Sequence, residues 1–188
     1  RCPPMPEPAP WTVLARRTLV ADRWLTLHAD TVRTAEGALL DPFYVIDERS
    51  WSCVVPVLPD GRLALVEQYR HGAERIMLEL PAGDLEAGEH PAAGAVRELQ
   101  EETGFAALAE PVALGVLFPE PSRNRSRAHG FMVRVAASAG ATSLDPAESI
   151  GVRLMTVAEA FAAIADGRLC HGVHVGFLWQ ARGMGLIA

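Results

Sequence analysis

Residues 83–105 read GDLEAGEHPAAGAVRELQEETGF. Pro91 suits a first helical position, where its missing N–H leaves nothing unsatisfied. Gly104 suits a left-handed cap at the other end. Between them Ala92, Ala95, Val96, Leu99 and Thr103 recur at three- and four-residue steps, which predicts a helix with one buried stripe. On that wheel Glu98 and Glu102 are i,i+4 neighbours on one flank. Glu101 lies opposite the stripe, and Arg97 is i,i+4 to Glu101. Like charges at neighbour spacing cost about 0.2–0.5 kcal/mol unless something cationic intervenes. A hard divalent cation, which takes oxygen ligands, turns that repulsion into a ligand pair. The helix by itself is also compatible with a solvated acidic face carrying an Arg97–Glu101 ion pair.

The full spacing is Gly-x5-Glu-x7-Arg-Glu-(apolar)-x-Glu-Glu-x-Gly-(apolar), at Gly83, Glu89, Arg97, Glu98, Leu99, Glu101, Glu102, Gly104 and Phe105. It resembles the Nudix box without a mismatch, and nine positions in fixed register make a specific pattern. Two flanking segments, Gln68-Tyr69-Arg70 and Glu79-Leu80-Pro81-Ala82-Gly83, look like those of the ADP-ribose pyrophosphatase branch of that family. Pro121, sixteen residues beyond Phe105, matches a proline that marks the same branch. Its neighbourhood, Glu120-Pro121-Ser122-Arg123-Asn124, departs from the usual Ser-Pro-Gly, which puts the exact sugar in doubt. The resemblance implies an α/β protein with the Nudix fold: an α/β/α sandwich around a mixed sheet, with an added N-terminal β-segment.

The totals bound the remaining possibilities. A chain of 188 residues suits one domain with a sizeable core. It contains no lysine, so every positive side chain is an arginine, and the net charge is −6. That balance argues against nucleic acid as the main partner, which calls for a basic footprint. It also repels a phosphorylated substrate, so local arginines and bound metal must supply the attraction. Cys2, Cys53 and Cys170 are odd in number and far apart, with no metal spacing. A reducing, cytoplasmic setting without disulfides is expected, with Cys53 in the core. No apolar run reaches membrane-spanning length, and the N-terminus has no apolar signal core. The chain opens on Arg1 rather than Met, which leaves its native start open.

In chain order, residues 1–10 form a Pro-rich tail. Residues 11–50 read as a β-segment, with strands at 11–20, 23–32 and 43–46 and turns at Ala35-Glu36-Gly37 and Asp41-Pro42. In the resembling branch such a segment packs on, or swaps with, a second subunit, so a homodimer is implied. An intramolecular sheet fits the residues as well. Residues 51–188 would be the hydrolase domain. Its expected strands are 51–58, 63–69, 112–118, 131–136 and 150–155, with a tight turn at Pro59-Asp60-Gly61. Thr156 and Glu159 form a capping box opening a helix to about Asp166. A last helix is expected over 171–182, with Phe177, Leu178 and Ala181 inward and His171 and His174 structural.

The resemblance also assigns roles. Glu98 and Glu102 would be the core metal ligands, with the Ala82 carbonyl joining them and Glu101 as a secondary ligand. Arg97 would orient a carboxylate. Glu89 would ligate through water or hold the loop. Glu148, with Asp145 as its neighbour in doubt, would be the catalytic base or a third-site ligand. Mg²⁺ is the expected cofactor, Mn²⁺ an acceptable one. Arg123 and Arg125 can clamp phosphate or belong to a solvated basic loop, and Arg70 can touch substrate or pair with Glu79. The implied activity is hydrolysis of a nucleoside diphosphate linked to a second group, with ADP-ribose to AMP and ribose 5-phosphate as the leading case. Other nucleotide sugars and dinucleoside polyphosphates are alternatives. A catalytically idle, ADP-ribose-sensing domain is a third. Such regulators carry a DNA-binding extension, for which little chain is left over, and the complete carboxylate set also argues against it.

Overall fold

The computed structural model describes residues 7–144 and 149–188, and these fall into two compact units. One comprises Arg1–Arg49 with Glu120–Ser126, the other Ser50–Pro119 with Arg127–Ala188. Asp145 and Glu148 lie outside the described residues, as does Cys2.

In the first unit β1 (Thr12–Ala21), β2 (Leu25–Arg33) and β3 (Leu39–Glu48) form an antiparallel sheet in chain order. The Asp41-Pro42 bond, expected in a turn, lies inside β3 and is cis. It falls opposite a register shift in β2 between Asp30 and Val32, and a bulge is where a strand tolerates a residue that cannot donate to the ladder. The 120–126 loop is tied to β3: the Ile46 N–H donates to the Arg123 carbonyl at 2.7 Å, and the Arg125 N–H to the Ile46 carbonyl at 3.0 Å.

The second unit is built on β4 (Trp51–Val57) and β5 (Leu63–Arg70), joined through a tight turn with Gly61 at φ 85°. The two strands pair only at Val57 and Leu63, beside that turn. Beyond it they part, and each takes a new antiparallel neighbour: β6 (Arg75–Glu79) on β5 and β7 (Ala82–Asp84) on β4. Helix α1 (Pro91–Thr103) follows, then β8 (Val112–Leu117), β9 (Ala128–Arg134), β10 (Ile150–Met155), α2 (Val157–Ala165) and α3 (Gly172–Gly183). The main strand order is β10-β5-β4-β9-β8, with β4 and β9 parallel and the other neighbours antiparallel.

Strand alternation puts a core on each face of this mixed sheet. On one face Val54, Ala64, Phe131 and Val133 pack with Ala95 and Leu99 of α1 and with Phe105. On the other, Cys53, Val55, Leu65 and Met132 pack with Ala160 and Ala163 of α2 and with Phe177, Leu178 and Ala181 of α3. The result is the expected α/β/α sandwich. No helix among the described residues is long and apolar enough to cross a membrane.

Strand β9 begins three residues before its expected start, at Ala128, because its first half pairs with Trp51–Cys53 and buries Ala128. Gly130 sits there because the Phe177 ring occupies the space a Cβ would fill.

Candidate active site

Helix α1 starts and stops where its sequence dictates. Pro91 is its first residue, the His90 side chain accepts the Ala92 N–H, and Gly104 caps it at φ 71°. The buried set is Gly94, Ala95, Leu99, Glu102 and Thr103, while Val96 is half-buried. Glu102 therefore departs from the open flank expected of it: it is 4 % exposed. The cause is non-local. The chain ahead of the helix folds back over it, and the Ala82 N–H donates to Glu102 Oε2 at 3.1 Å. Gly94 joins the buried set for the same reason, since a Cβ there would stand 2.7 Å from Leu85 Cδ2 and 3.0 Å from Glu89 Oε2.

Glu98 reaches the same dipeptide. Its carboxylate lies where a Cβ on Gly83 would go. Gly83 is thus the residue that lets a carboxylate lie against the backbone. Two acids one helical turn apart converge on the backbone of Ala82-Gly83, which β7 holds against Ser52 and Cys53 of β4.

Arg97 ties the surrounding acids together. Its Nε donates to Glu89 Oε1 at 2.9 Å and its Nη2 to Glu89 Oε2 at 3.0 Å. Nη1 reaches Glu98 Oε1 at 2.7 Å and Glu101 Oε2 at 3.0 Å, and Nη2 also reaches the Asp84 carbonyl at 3.0 Å. The expected Arg97–Glu101 pair is present, but as one spoke of a hub. Glu89, and after it Glu98, raise the pKa of the guanidinium, and Arg97 holds the Glu89 carboxyl below its usual range. Glu89 also accepts the Glu86 N–H at 3.0 Å, so it closes the loop on itself.

Arg70 turns to Glu79, which is fully buried, through Nε at 3.0–3.1 Å and Nη2 at 2.5 Å, and Gln68 adds a bond at 3.3 Å. Arg123 and Arg125 stand in the first unit, bordering a cavity of about 270 Å³ with Trp11, Arg16, Asp30 and Phe43. Asp30 is buried and chelated by Arg16 at 2.7 and 2.5 Å, while Arg125 pairs with Asp47 at 3.4 Å. Glu148 falls outside the described residues, but the segment leading toward it is anchored on α1. The Gly140 N–H donates to the Gly104 carbonyl at 2.8 Å, and the Ser143 N–H to the Glu101 carbonyl at 2.9 Å.

Among the described residues no group of three or more His, Cys, Asp and Glu side chains forms a closed metal cage. Two carboxylates converge on the Ala82-Gly83 backbone of β7, and the Ala82 carbonyl is the backbone oxygen expected to join them. That set suits Mg²⁺, which keeps several waters and is held by one or two carboxylates together with substrate phosphate. Cys53 is buried in the core, and His174 is buried with its Nδ1 on the Leu80 N–H and its ring against that of His171. Gly94 and Gly130 escaped the sequence reading, because only the packed neighbours reveal why a side chain is excluded there.

A family model described as the nucleoside diphosphate sugar hydrolase N-terminal domain matches residues 11–46, and one described as the NUDIX domain matches residues 48–172. Over 94 residues the chain is 32% identical to the ADP-ribose pyrophosphatase of Bacillus subtilis (strain 168), covering 50% of each. Over 95 residues it is 36% identical to that of Mycobacterium tuberculosis (strain ATCC 25618 / H37Rv), covering 50% of this chain and 45% of that one. Over 56 residues it is 54% identical to the ADP-sugar pyrophosphatase of Mus musculus, covering 28% and 26%. The chain thus spans about half or less of the length of these curated relatives. A solved structure described as that of an ADP compounds hydrolase superposes with a TM-score of 0.81 over 96% of both chains, at 21% identity, and shares the fold. With the NUDIX match running through both faces of the sandwich and the whole box, the chain belongs to the Nudix family, and its likeness runs to the ADP-ribose pyrophosphatase-like branch.

Proposed function

We propose that this protein is a metal-dependent pyrophosphohydrolase that splits ADP-ribose into AMP and ribose 5-phosphate. The observation that carries the reading is the convergence of Glu98 and Glu102 on the Ala82-Gly83 backbone. A solvated acidic face would leave both carboxylates in water, whereas here one is buried and the other lies against a glycine.

Glu98, Glu102 and the Ala82 carbonyl would hold Mg²⁺, or Mn²⁺ in its place, with Glu101 as a secondary ligand. A bound divalent cation would neutralise phosphate charge and acidify a water. The chain's own part is positioning and electrostatics, since phosphoryl chemistry asks for little covalent work. Arg97 aims Glu98, Glu101 and Glu89 through its guanidinium hydrogen bonds, and holds the Glu89 carboxyl below its usual range. Glu148 or Glu101 takes the proton of the attacking water. The bridging P–O bond breaks, the water oxygen joins one phosphorus, and the proton returns to the departing phosphate. Arg123 and Arg125 are the candidate phosphate clamps, on a loop whose backbone is fixed on β3. The exposed Arg125–Asp47 pair is weak enough to exchange for substrate. Arg70 adds positive charge from its half-exposed guanidinium while Glu79 fixes its direction.

The substrate class follows the names of the relatives, and the sugar end is the less constrained part, because the 120–124 segment departs from the branch. Another nucleotide sugar is therefore the second candidate. We further propose that residues 11–50 form the dimer-forming part, that 51–188 form the hydrolase part, and that the protein is a cytoplasmic homodimer. The support is the long β1, exposed along its whole length, with Val13, Leu14, Leu19 and Val20, and Trp11 just ahead of it, each more than 40% exposed, and, among the described residues, two free cysteines.

The test is release of phosphomonoesters from ADP-ribose, other nucleotide sugars, dinucleoside polyphosphates and nucleoside triphosphates, with Mg²⁺ and with chelator. Chelator-sensitive turnover of ADP-ribose is expected. Turnover of another member keeps the mechanism and discards the substrate. No turnover by protein shown to bind the cation moves the weight to a sensing role.

A further inference from the structure

The strap between β6 and β7 is tied one residue at a time, each by a different element. The Glu79 carboxylate accepts from Arg70 and Gln68 of β5. The Leu80 N–H donates to His174 Nδ1 of α3 at 3.1 Å. The Pro81 carbonyl accepts the Val54 N–H of β4 at 3.0 Å. The Ala82 N–H donates to Glu102 of α1 at 3.1 Å. Three of these ties come from elements already placed in or beside the site. The tie from α3 comes from 94 residues further along the chain, and nothing in the reaction above uses it.

His174 is 1% exposed. Its ring is packed by Trp51, centroids 5.6 Å apart, and by His171, 4.2 Å apart. An imidazole that accepts through Nδ1 carries its proton on Nε2. Burial, aided by the nearby His171 and Arg70, pushes its pKa well below the usual histidine range, so the acceptor stays available at neutral pH. The surroundings are otherwise a hydrocarbon core in which leucine would pack, and burying an imidazole is unfavourable unless its hydrogen bond is made. Pro81 has no N–H, so Leu80 is the last backbone donor before Ala82.

We propose that His174 is a positioning residue for hydrolysis: by accepting the Leu80 N–H it fixes the Glu79-Leu80 peptide, and through the conformationally restricted step at Pro81 it steadies the Ala82 carbonyl and the Ala82–Glu102 bond. This rests on the reading that Ala82, Glu98 and Glu102 hold a divalent cation. His174 touches neither cation nor substrate, and it acts through the strap.

The experiment compares wild type, His174→Leu and His174→Asn. Asparagine places an oxygen near the Nδ1 position, whereas leucine removes the acceptor. Mn²⁺ affinity is read by electron paramagnetic resonance, kcat and KM for ADP-ribose against Mg²⁺ concentration, and amide hydrogen exchange over residues 79–84. In His174→Leu, Mn²⁺ binding should weaken roughly 10-fold, the scale of losing an outer-shell partner. Its kcat should fall at low Mg²⁺ and recover as Mg²⁺ rises, with KM nearly unchanged, and exchange should quicken. His174→Asn should stay within about threefold of wild type on each readout, less than the outer-shell loss. Folded His174→Leu with wild-type Mn²⁺ affinity overturns the proposal, and so does His174→Asn as impaired as the leucine variant. Should the leucine variant not fold, His174→Gln, whose acceptor reaches the Nε2 position instead, replaces it, and equal behaviour of Gln and Asn is the overturning result. Wild type that binds no Mn²⁺ sinks the functional reading beneath, whereas unaltered affinity in the variant sinks this inference alone.

Discussion

Gly83 separates chemistry from stability at a single atom. The Cβ of Gly83→Ala would collide with the Glu98 carboxylate, the far end of a flexible side chain, and not with backbone. Gly83→Ala should therefore unfold within a few degrees of wild type and yet lose most turnover. A large drop in melting temperature with activity intact at low temperature would contradict this. Glu102→Gln keeps an oxygen to accept the Ala82 N–H and loses the charge. It should stay folded and lose more than the roughly 10–100-fold that an outer-shell partner is worth. Full activity in that variant would remove Glu102 from the ligand set. The residue identities were legible because the box spacing is rigid. The burial of Glu102 was not, because a helical wheel contains only the helix and the covering backbone arrives from Ala82. The same limit hid His174, which carries no local mark of its bond to Leu80, 94 positions away.

Among the elements, the helices and long strands agree with their local signals: caps at Pro91, Gly104 and Thr156, and alternation in β4 and β5. β6 and β7 had no such signal. β7 is three residues, Ala-Gly-Asp, with poor strand propensity, and it is extended because β4 offers it a partner. The early start of β9 has the same origin in pairing rather than propensity. Gly130→Ala should cost about 1–3 kcal/mol, the usual scale of overpacking, because the Phe177 ring must move within a filled core. A denaturant midpoint unchanged from wild type would show that α3 yields freely. Replacing both Arg123 and Arg125 with Ala should raise KM for ADP-ribose more than it lowers kcat, if the loop binds phosphate. Unchanged constants would return it to a solvated surface loop.

Across the whole molecule, the buried His174 and the half-buried His171 link stability to pH. Desolvation lowers the pKa of both His174 and His171 below 6.5. The unfolded chain thus takes up protons below about pH 6.5 that the folded chain refuses, and stability falls as pH drops, by up to about 1.4 kcal/mol per unit for each proton. Between pH 7.5 and 5.5 the urea midpoint should fall, and His174→Asn should flatten that slope. Equal slopes in the two proteins would assign the effect to other groups. The proposed homodimer predicts a doubled mass by light scattering, and a monomer at micromolar concentration would leave the apolar residues of β1 without that explanation.

The parting of β4 and β5 has a mechanical meaning. Two strands that share one pair at Val57 and Leu63 leave the middle of the sheet as a fork, with the strap 79–82 driven into its opening as a wedge. Sliding the half that carries β10, β5 and β6 past the half that carries β4, β9 and β8 would shear across that wedge before it strained any long ladder. Whatever grips Ala82 and Glu102 therefore grips the keystone of the sheet, and its arrival should stiffen strands that it never touches.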